Sequence, residues 1–106
     1  MNVYSNSYSN LISNDELGNL LPTLPSDAQI SLFDFRIEKT SGYGHWRITI
    51  DLKINEEEEK YTVITTNSTA VDAYNSDEEE RQSEGIKELL SEVLTSNAAE
   101  IETSAL

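Results

Sequence analysis

The sequence predicts a two-layer α+β domain. A three-stranded antiparallel meander packs against a long C-terminal amphipathic helix, with a short N-terminal helix beside it. Three observations carry this expectation. Apolar and polar residues alternate between Ile30 and Ile54, the period of strands with one buried and one wet face. The run KYTVITT at residues 60–66 is rich in β-branched side chains and follows after a short connection. Ile86, Leu89, Leu90, Val93 and Leu94 then recur at i, i+3, i+4, i+7 and i+8, one stripe of an α-helix.

Along the chain, residues 1–14 contain eight Ser or Asn, too little apolar surface to offset the entropy of ordering, so 1–10 reads as a flexible arm. Ser13-Asn-Asp-Glu16 is a capping box, and Leu17, Leu20, Leu21 and Leu24 follow at helical spacing. Pro22 and Pro25 stop this helix after about two turns. In the first strand Phe33, Phe35 and Ile37 fall on one side, and Asp34, Arg36 and Glu38 on the other. The glycines of Thr40-Ser-Gly-Tyr-Gly44 suit a hairpin turn.

The clearest strand follows: Trp46, Ile48, Ile50, Leu52 and Ile54 alternate with Arg47, Thr49, Asp51 and Lys53. Residues 55–59 read as a tight polar connection, and the third strand places Tyr61 and Val63 on one face. Residues 67–75 read as a loop with room for a helical turn at 70–74. Ser76-Asp-Glu-Glu79 is a second capping box, opening a helix from about Asp77 to Leu94 or somewhat beyond, roughly 27 Å long. Gly85 within it costs about 1 kcal/mol relative to Ala. Beyond residue 94 the chain extends the helix or frays, with Ile101 as its strong anchor. The boundaries are an arm at 1–10, a single domain at 11–102 and a flexible tail at 103–106.

Seven Lys and Arg stand against twenty Asp and Glu in 106 residues, a net charge of −13. Such a surface is repelled by nucleic acid and by anionic membranes, so direct binding to either is not expected, whereas a basic protein is the expected partner. The absence of cysteine excludes disulfides, thiolate metal sites and a thiol nucleophile. The N-terminus has neither a basic nor an apolar leader region and no apolar run reaches membrane-spanning length, which sets a cytoplasmic expectation.

The acidic face of the long helix is the leading candidate site. Asp77, Glu80, Glu88 and Glu92 lie within about 80° of Glu84 on the helical wheel, opposite the apolar stripe. A ridge of this kind imitates a phosphate backbone, though sparsely: one carboxylate per roughly 5–6 Å of axis, against about 3.4 Å per strand in DNA. Glu56, Glu57, Glu58 and Glu59, with Asp72, add to it if the fold brings them near. A plainer account is that a helix needs a solvated face and Glu is a good helix former.

Chemistry has fewer footholds. Consecutive carboxylates at 56–59 diverge and no Asp-x-Asp-x-Asp-Gly loop is present, so no metal is expected, and no cofactor motif appears. His45, the single histidine, has no nucleophile or orienting acid near it in sequence, so no catalytic residue and no enzyme activity are expected. Trp46 reads as a packing residue, and Arg36, Arg47 and Lys53 as cross-strand partners of Asp34, Glu38 and Asp51. Asn67-Ser-Thr69 matches a glycosylation acceptor by chance.

In size and charge the chain is similar to the small acidic proteins with which phages and mobile elements inhibit nucleases, a likeness carried by no motif. The expected function is a small acidic non-enzymatic interaction protein engaging a basic protein surface, with nucleic-acid mimicry as its sharpest form. The alternative is a structural or assembly module that forms homo-oligomers through a sheet edge.

Overall fold

The computed structural model describes residues 2–4 and 14–106, with side chains from Glu16 onward except that of Phe33. The elements are β1 (Asn2–Tyr4), α1 (Asn14–Leu20), β2 (Gln29–Lys39), β3 (Trp46–Ile54), β4 (Glu57–Thr65), α2 (Ser68–Tyr74), α3 (Glu79–Ser96) and α4 (Ala98–Ser104). The sheet order is β1-β2-β3-β4. Strands β2, β3 and β4 form the antiparallel meander, and α3 is the long amphipathic helix, so the α+β class holds.

The sheet has one strand more than the sequence predicts. Asn2–Tyr4 pairs parallel with β2, Val3 opposite Ile30, although these residues read as part of a loose arm. An edge offers unpaired backbone groups, and a short segment can add to it without any apolar periodicity of its own. The rest of the arm at 5–10, and Ser13 of the first capping box, lie outside the described residues.

The core lies between the sheet and the helices. Ile48, Ile50, Leu52 and Ile54 are buried on the same face of the central strand, against Leu89, Leu90, Val93 and Leu94 of α3 and Ile101 of α4. In β2 the register shifts between Leu32, opposite Leu52, and Asp34, opposite Asp51. This bulge inserts one residue and resets the alternation, so Ile30, Leu32 and Phe35 are all buried. The inward expectation for Phe33 lies outside the described side chains.

The β3–β4 connection is tighter than the expected 55–59 stretch. Asn55 (φ 49°) and Glu56 (φ 73°) both occupy the left-handed region, and β4 begins at Glu57. Two residues at positive φ make a type I′ turn, whose twist matches that of the strands. Asn55 also bonds outward: its amide donates to the Gln29 carbonyl, its side chain accepts from the Gln29 amide at 3.0 Å, and Nδ2 donates to the Ala105 carbonyl at 3.0 Å.

The second capping box does not form. Helix α3 starts at Glu79 with no side-chain cap: Ser76 stands two residues before the N-cap position, Glu78, and its hydroxyl accepts from the Glu78 amide at 3.1 Å. The region read as a loop holds a whole helix instead, α2, capped by Asn67, which accepts from the Ala70 amide at 3.1 Å. That cap is the role of the Asn in the apparent glycosylation triplet. At the other end of α3, Asn97 Nδ2 donates to the Val93 and Thr62 carbonyls and turns the chain into α4. Residues 98–104 therefore neither extend α3 nor fray, and Ile101 is fully buried.

Gly85 has a reason that helix propensity conceals. A Cβ there would stand 2.6 Å from the Tyr74 amide nitrogen and 2.7 Å from the Ala70 carbonyl oxygen, so its absence lets α2 and α3 touch backbone to backbone. Among the described residues no helix is long and apolar enough to cross a membrane.

Candidate functional site

Because α3 buries the stripe Ile86, Leu89, Leu90, Val93 and Leu94, its opposite face is left to solvent. Glu80, Glu84 and Glu88 stand exposed along it at four-residue intervals, about 6 Å apart, and Glu79 opens the first turn on the other side of the helix. Glutamates in the first turn are favoured by the helix dipole.

Charge is segregated between the layers. Residues 68–104 carry ten carboxylates and two cations, a net of −8 out of the chain's −13. Residues 29–65 carry seven carboxylates and five cations, a net of −2. The outer sheet face neutralises itself. Arg36 pairs with Asp34 and, at 3.0 Å, with Asp51, which Lys60 approaches at 3.8 Å. The hydrogen bond to Asp51 holds the Arg36 guanidinium above its usual range, against a smaller opposing effect of desolvation. Next to this network Thr49 is buried opposite Thr62.

The nine carboxylates singled out in the sequence do not form one surface. Asp77 precedes α3 and is exposed in the connection before it. Glu92 is half-buried, accepting from the Thr65 hydroxyl at 2.8 Å and from Asn67 Nδ2 at 3.5 Å, so it ties α3 to the end of β4. Lys87 interrupts the ridge between Glu84 and Glu88 and forms a 3.0 Å ion pair with Glu16 of α1. The other acidic group is split by strand parity. Glu57 and Glu59 stand opposite Ile54 and Leu52 on the helix-facing side, Glu58 stands opposite Lys53 on the outer face, and Glu56 sits in the turn. That turn lies at the far end of β4 from Thr65, roughly 26 Å away at strand rise. The ridge that the fold assembles is therefore Glu80, Glu84 and Glu88.

Tyr43, which the sequence sets beside His45 at the hairpin turn, stands apart from the acidic groups. Tyr43 is 100% exposed at the tip of the loop between β2 and β3. The loop is closed by Thr40 N donating to His45 O (3.2 Å), His45 N to Gly42 O (3.3 Å), Thr40 Oγ1 to His45 O and Gly42 N to Thr40 Oγ1 (both 3.2 Å). His45 Nδ1 lies 2.8 Å from the Tyr43 carbonyl oxygen, and Gly44 takes a φ of 70°. The signal for it was present: a tyrosine between two glycines lies in no alternating pattern and has no neighbour to bury it. His45 thus belongs to the architecture of this loop. Compared with protein-family models, curated proteins and solved structures, the chain finds no match.

Proposed function

We propose that the protein is a cytoplasmic, non-enzymatic interaction protein whose acidic helical side engages a basic protein surface and there takes the place of nucleic acid. The charge segregation supports this reading: a net of −8 sits on the helical layer while the sheet face balances its own charges. Opposite charge speeds encounter and sets register more than it adds affinity. At about 6 Å per carboxylate the ridge does not copy phosphates one for one, so the imitation rests on the summed field of the layer.

Affinity capture from a lysate of the native source, beside an unrelated protein of matched charge, tests the proposal. The expected result is a basic protein absent from the control and released both by moderate salt and by duplex DNA. A partner released by neither, or one whose binding survives reversal of Glu80, Glu84 and Glu88 to Lys, rejects it.

A second reading, self-association, is favoured by the position of β4 at the open edge of the sheet. Three consecutive glutamates at 57–59 and the Asn97 side chain on the Thr62 carbonyl oppose strand pairing there. Light scattering at high protein concentration separates the two readings, since strict monomer behaviour ends the second.

A further inference from the structure

Strand β4 ends the sheet, and among the described residues no strand pairs with its outer side. In an antiparallel ladder, alternate residues turn both backbone groups to the same side. The Thr62 carbonyl points outward, where Asn97 Nδ2 reaches it at 3.0 Å, so the amides and carbonyls of Glu58 and Lys60 point outward with it. Asn97 covers the edge at Thr62 alone. The stretch from Glu57 to Lys60 keeps its outward backbone groups open to a further strand.

Two grooves flank this stretch. On the helix side one runs between β4 and α4, lined by Glu59, Tyr61, Glu100 and Ser104. Besides burial, the charges of Glu59 and Glu100 push the Tyr61 hydroxyl up, so both carboxylates lie near its oxygen, which is 3.4 Å from Ser104 Oγ. Neither carboxylate has an ion pair among the described residues. On the outer side Asp51, Glu58 and Lys60 line the second groove, where Lys60 Nζ lies 3.8 Å from Asp51. Side chains of an added strand alternate between the two sides, so every second one enters the groove of Glu59 and Glu100.

Charge selects what can pair here. A second copy of β4 brings Glu57, Glu58 and Glu59 against the same three residues, and like charges opposite one another are destabilising. A strand with Lys or Arg at alternate positions meets carboxylates instead. An ammonium entering the helix-side groove finds acceptors in Glu59, Glu100 and the Ser104 hydroxyl.

We propose that the open edge of β4 takes a short basic strand of a partner protein, adding it to the sheet with alternate Lys or Arg side chains between Glu59 and Glu100. Main-chain hydrogen bonds to Glu58 and Lys60 supply the affinity, and the groove supplies the choice of side chain. Such pairing needs nothing from Glu80, Glu84 and Glu88 of α3 and stands whether or not the acidic layer replaces nucleic acid.

An end-blocked octapeptide of alternating Lys and Val tests this on the intact chain, beside the same peptide N-methylated at its four central residues. The two carry equal charge and differ in the amide donors that strand pairing needs. In calorimetric titration at low salt the wild type binds the unmethylated peptide about tenfold more tightly, the worth of one or two hydrogen bonds. Lys60→Pro removes the central outward amide, a change that an edge strand tolerates, and brings that ratio close to one. Should this variant fail to fold, as urea unfolding reports, charge reversal decides. Glu59→Lys with Glu100→Lys weakens the unmethylated peptide about threefold more than Glu80→Lys with Glu84→Lys, a change of equal charge. No preference in the wild type, a preference that survives Lys60→Pro, or equal weakening by the two reversals overturns the proposal. Wild-type dimers in light scattering that Lys60→Pro abolishes would make a second copy the occupant and overturn it as well.

Discussion

The Thr65 hydroxyl donates to the Glu92 carboxylate at 2.8 Å and itself accepts from the Asn67 amide at 3.0 Å. Through this pair the end of β4, the cap of α2 and the body of α3 share one polar junction, at a threonine that is almost fully buried. Glu92 thereby leaves the group of carboxylates available to a partner and becomes a residue of the fold.

Removing that acceptor has a measurable consequence. Glu92→Ala leaves the buried Thr65 hydroxyl proton without its acceptor and lowers stability by about 1–3 kcal/mol. Glu80→Ala, Glu84→Ala and Glu88→Ala, on the exposed line, stay within about 0.5 kcal/mol of the wild type. Urea midpoints of the four variants check this, and an undisturbed Glu92→Ala refutes it.

Gly85 sets packing against propensity. Alanine gains about 1 kcal/mol of helix propensity but drives its Cβ into the Tyr74 nitrogen and the Ala70 carbonyl, both backbone atoms that cannot swing aside. Overpacking of this kind costs about 1–3 kcal/mol. Gly85→Ala is therefore expected to be destabilising in thermal or urea unfolding, and a more stable variant would show that α2 separates from α3 without penalty.

The type I′ turn makes opposite predictions at its two positions. Glu56 sits at φ 73° with a side chain that the left-handed region disfavours, so Glu56→Gly raises stability by up to about 1 kcal/mol. Asn55→Gly keeps the conformation but loses the side-chain bonds to Gln29 and Ala105, and Asn55→Ala loses the same bonds and adds strain. The expected order of unfolding midpoints is Glu56→Gly, wild type, Asn55→Gly, Asn55→Ala.

Tyr61 couples stability to alkaline pH. Burial pushes its hydroxyl above the ordinary tyrosine value of about 10, nearby Glu59 and Glu100 push the same way, and the hydrogen bond with Ser104 opposes them. The folded state then holds its proton more tightly than the unfolded chain. Stability from this group is fully present below the unfolded value and is lost as pH rises through the folded one. Tyr61→Phe flattens the alkaline limb of a stability profile above about pH 10, and identical profiles for the two proteins would remove Tyr61 as its source.

Complex formation should also respond to salt. If the acidic layer steers the partner, affinity falls steeply from low to moderate ionic strength, because the screening length shortens to about 10 Å at 0.1 M. Titrations at three salt concentrations check this, and a flat response counts against an electrostatic interface.

Local periodicity made much of this fold legible. The alternation from Trp46 to Ile54 and the stripe from Ile86 to Leu94 each occupy one element, and both bury the residues that their period selects. The solvated side of α3 follows from the same stripe, so Glu80, Glu84 and Glu88 were readable as an exposed line. Other features were not readable in this way. Strict alternation cannot express the bulge after Leu32, and propensity marks Gly85 as a defect where packing requires it. Nor does a row of glutamates at 56–59 reveal that strand parity sends its members to opposite faces.

The chain's own order of residues determined the class, the meander, the long helix and the excess of negative charge, because each depends on neighbours a few positions apart. Tertiary structure alone decided which carboxylates remain exposed, which are tied down, and that Tyr43 stands in solvent. Those outcomes hang on contacts such as Thr65 with Glu92, 27 residues apart, and Asn55 with Ala105, 50 apart. A hydrogen bond depends on distance and direction in space, and no local pattern encodes that when the partners are brought together only by the packing of separate elements.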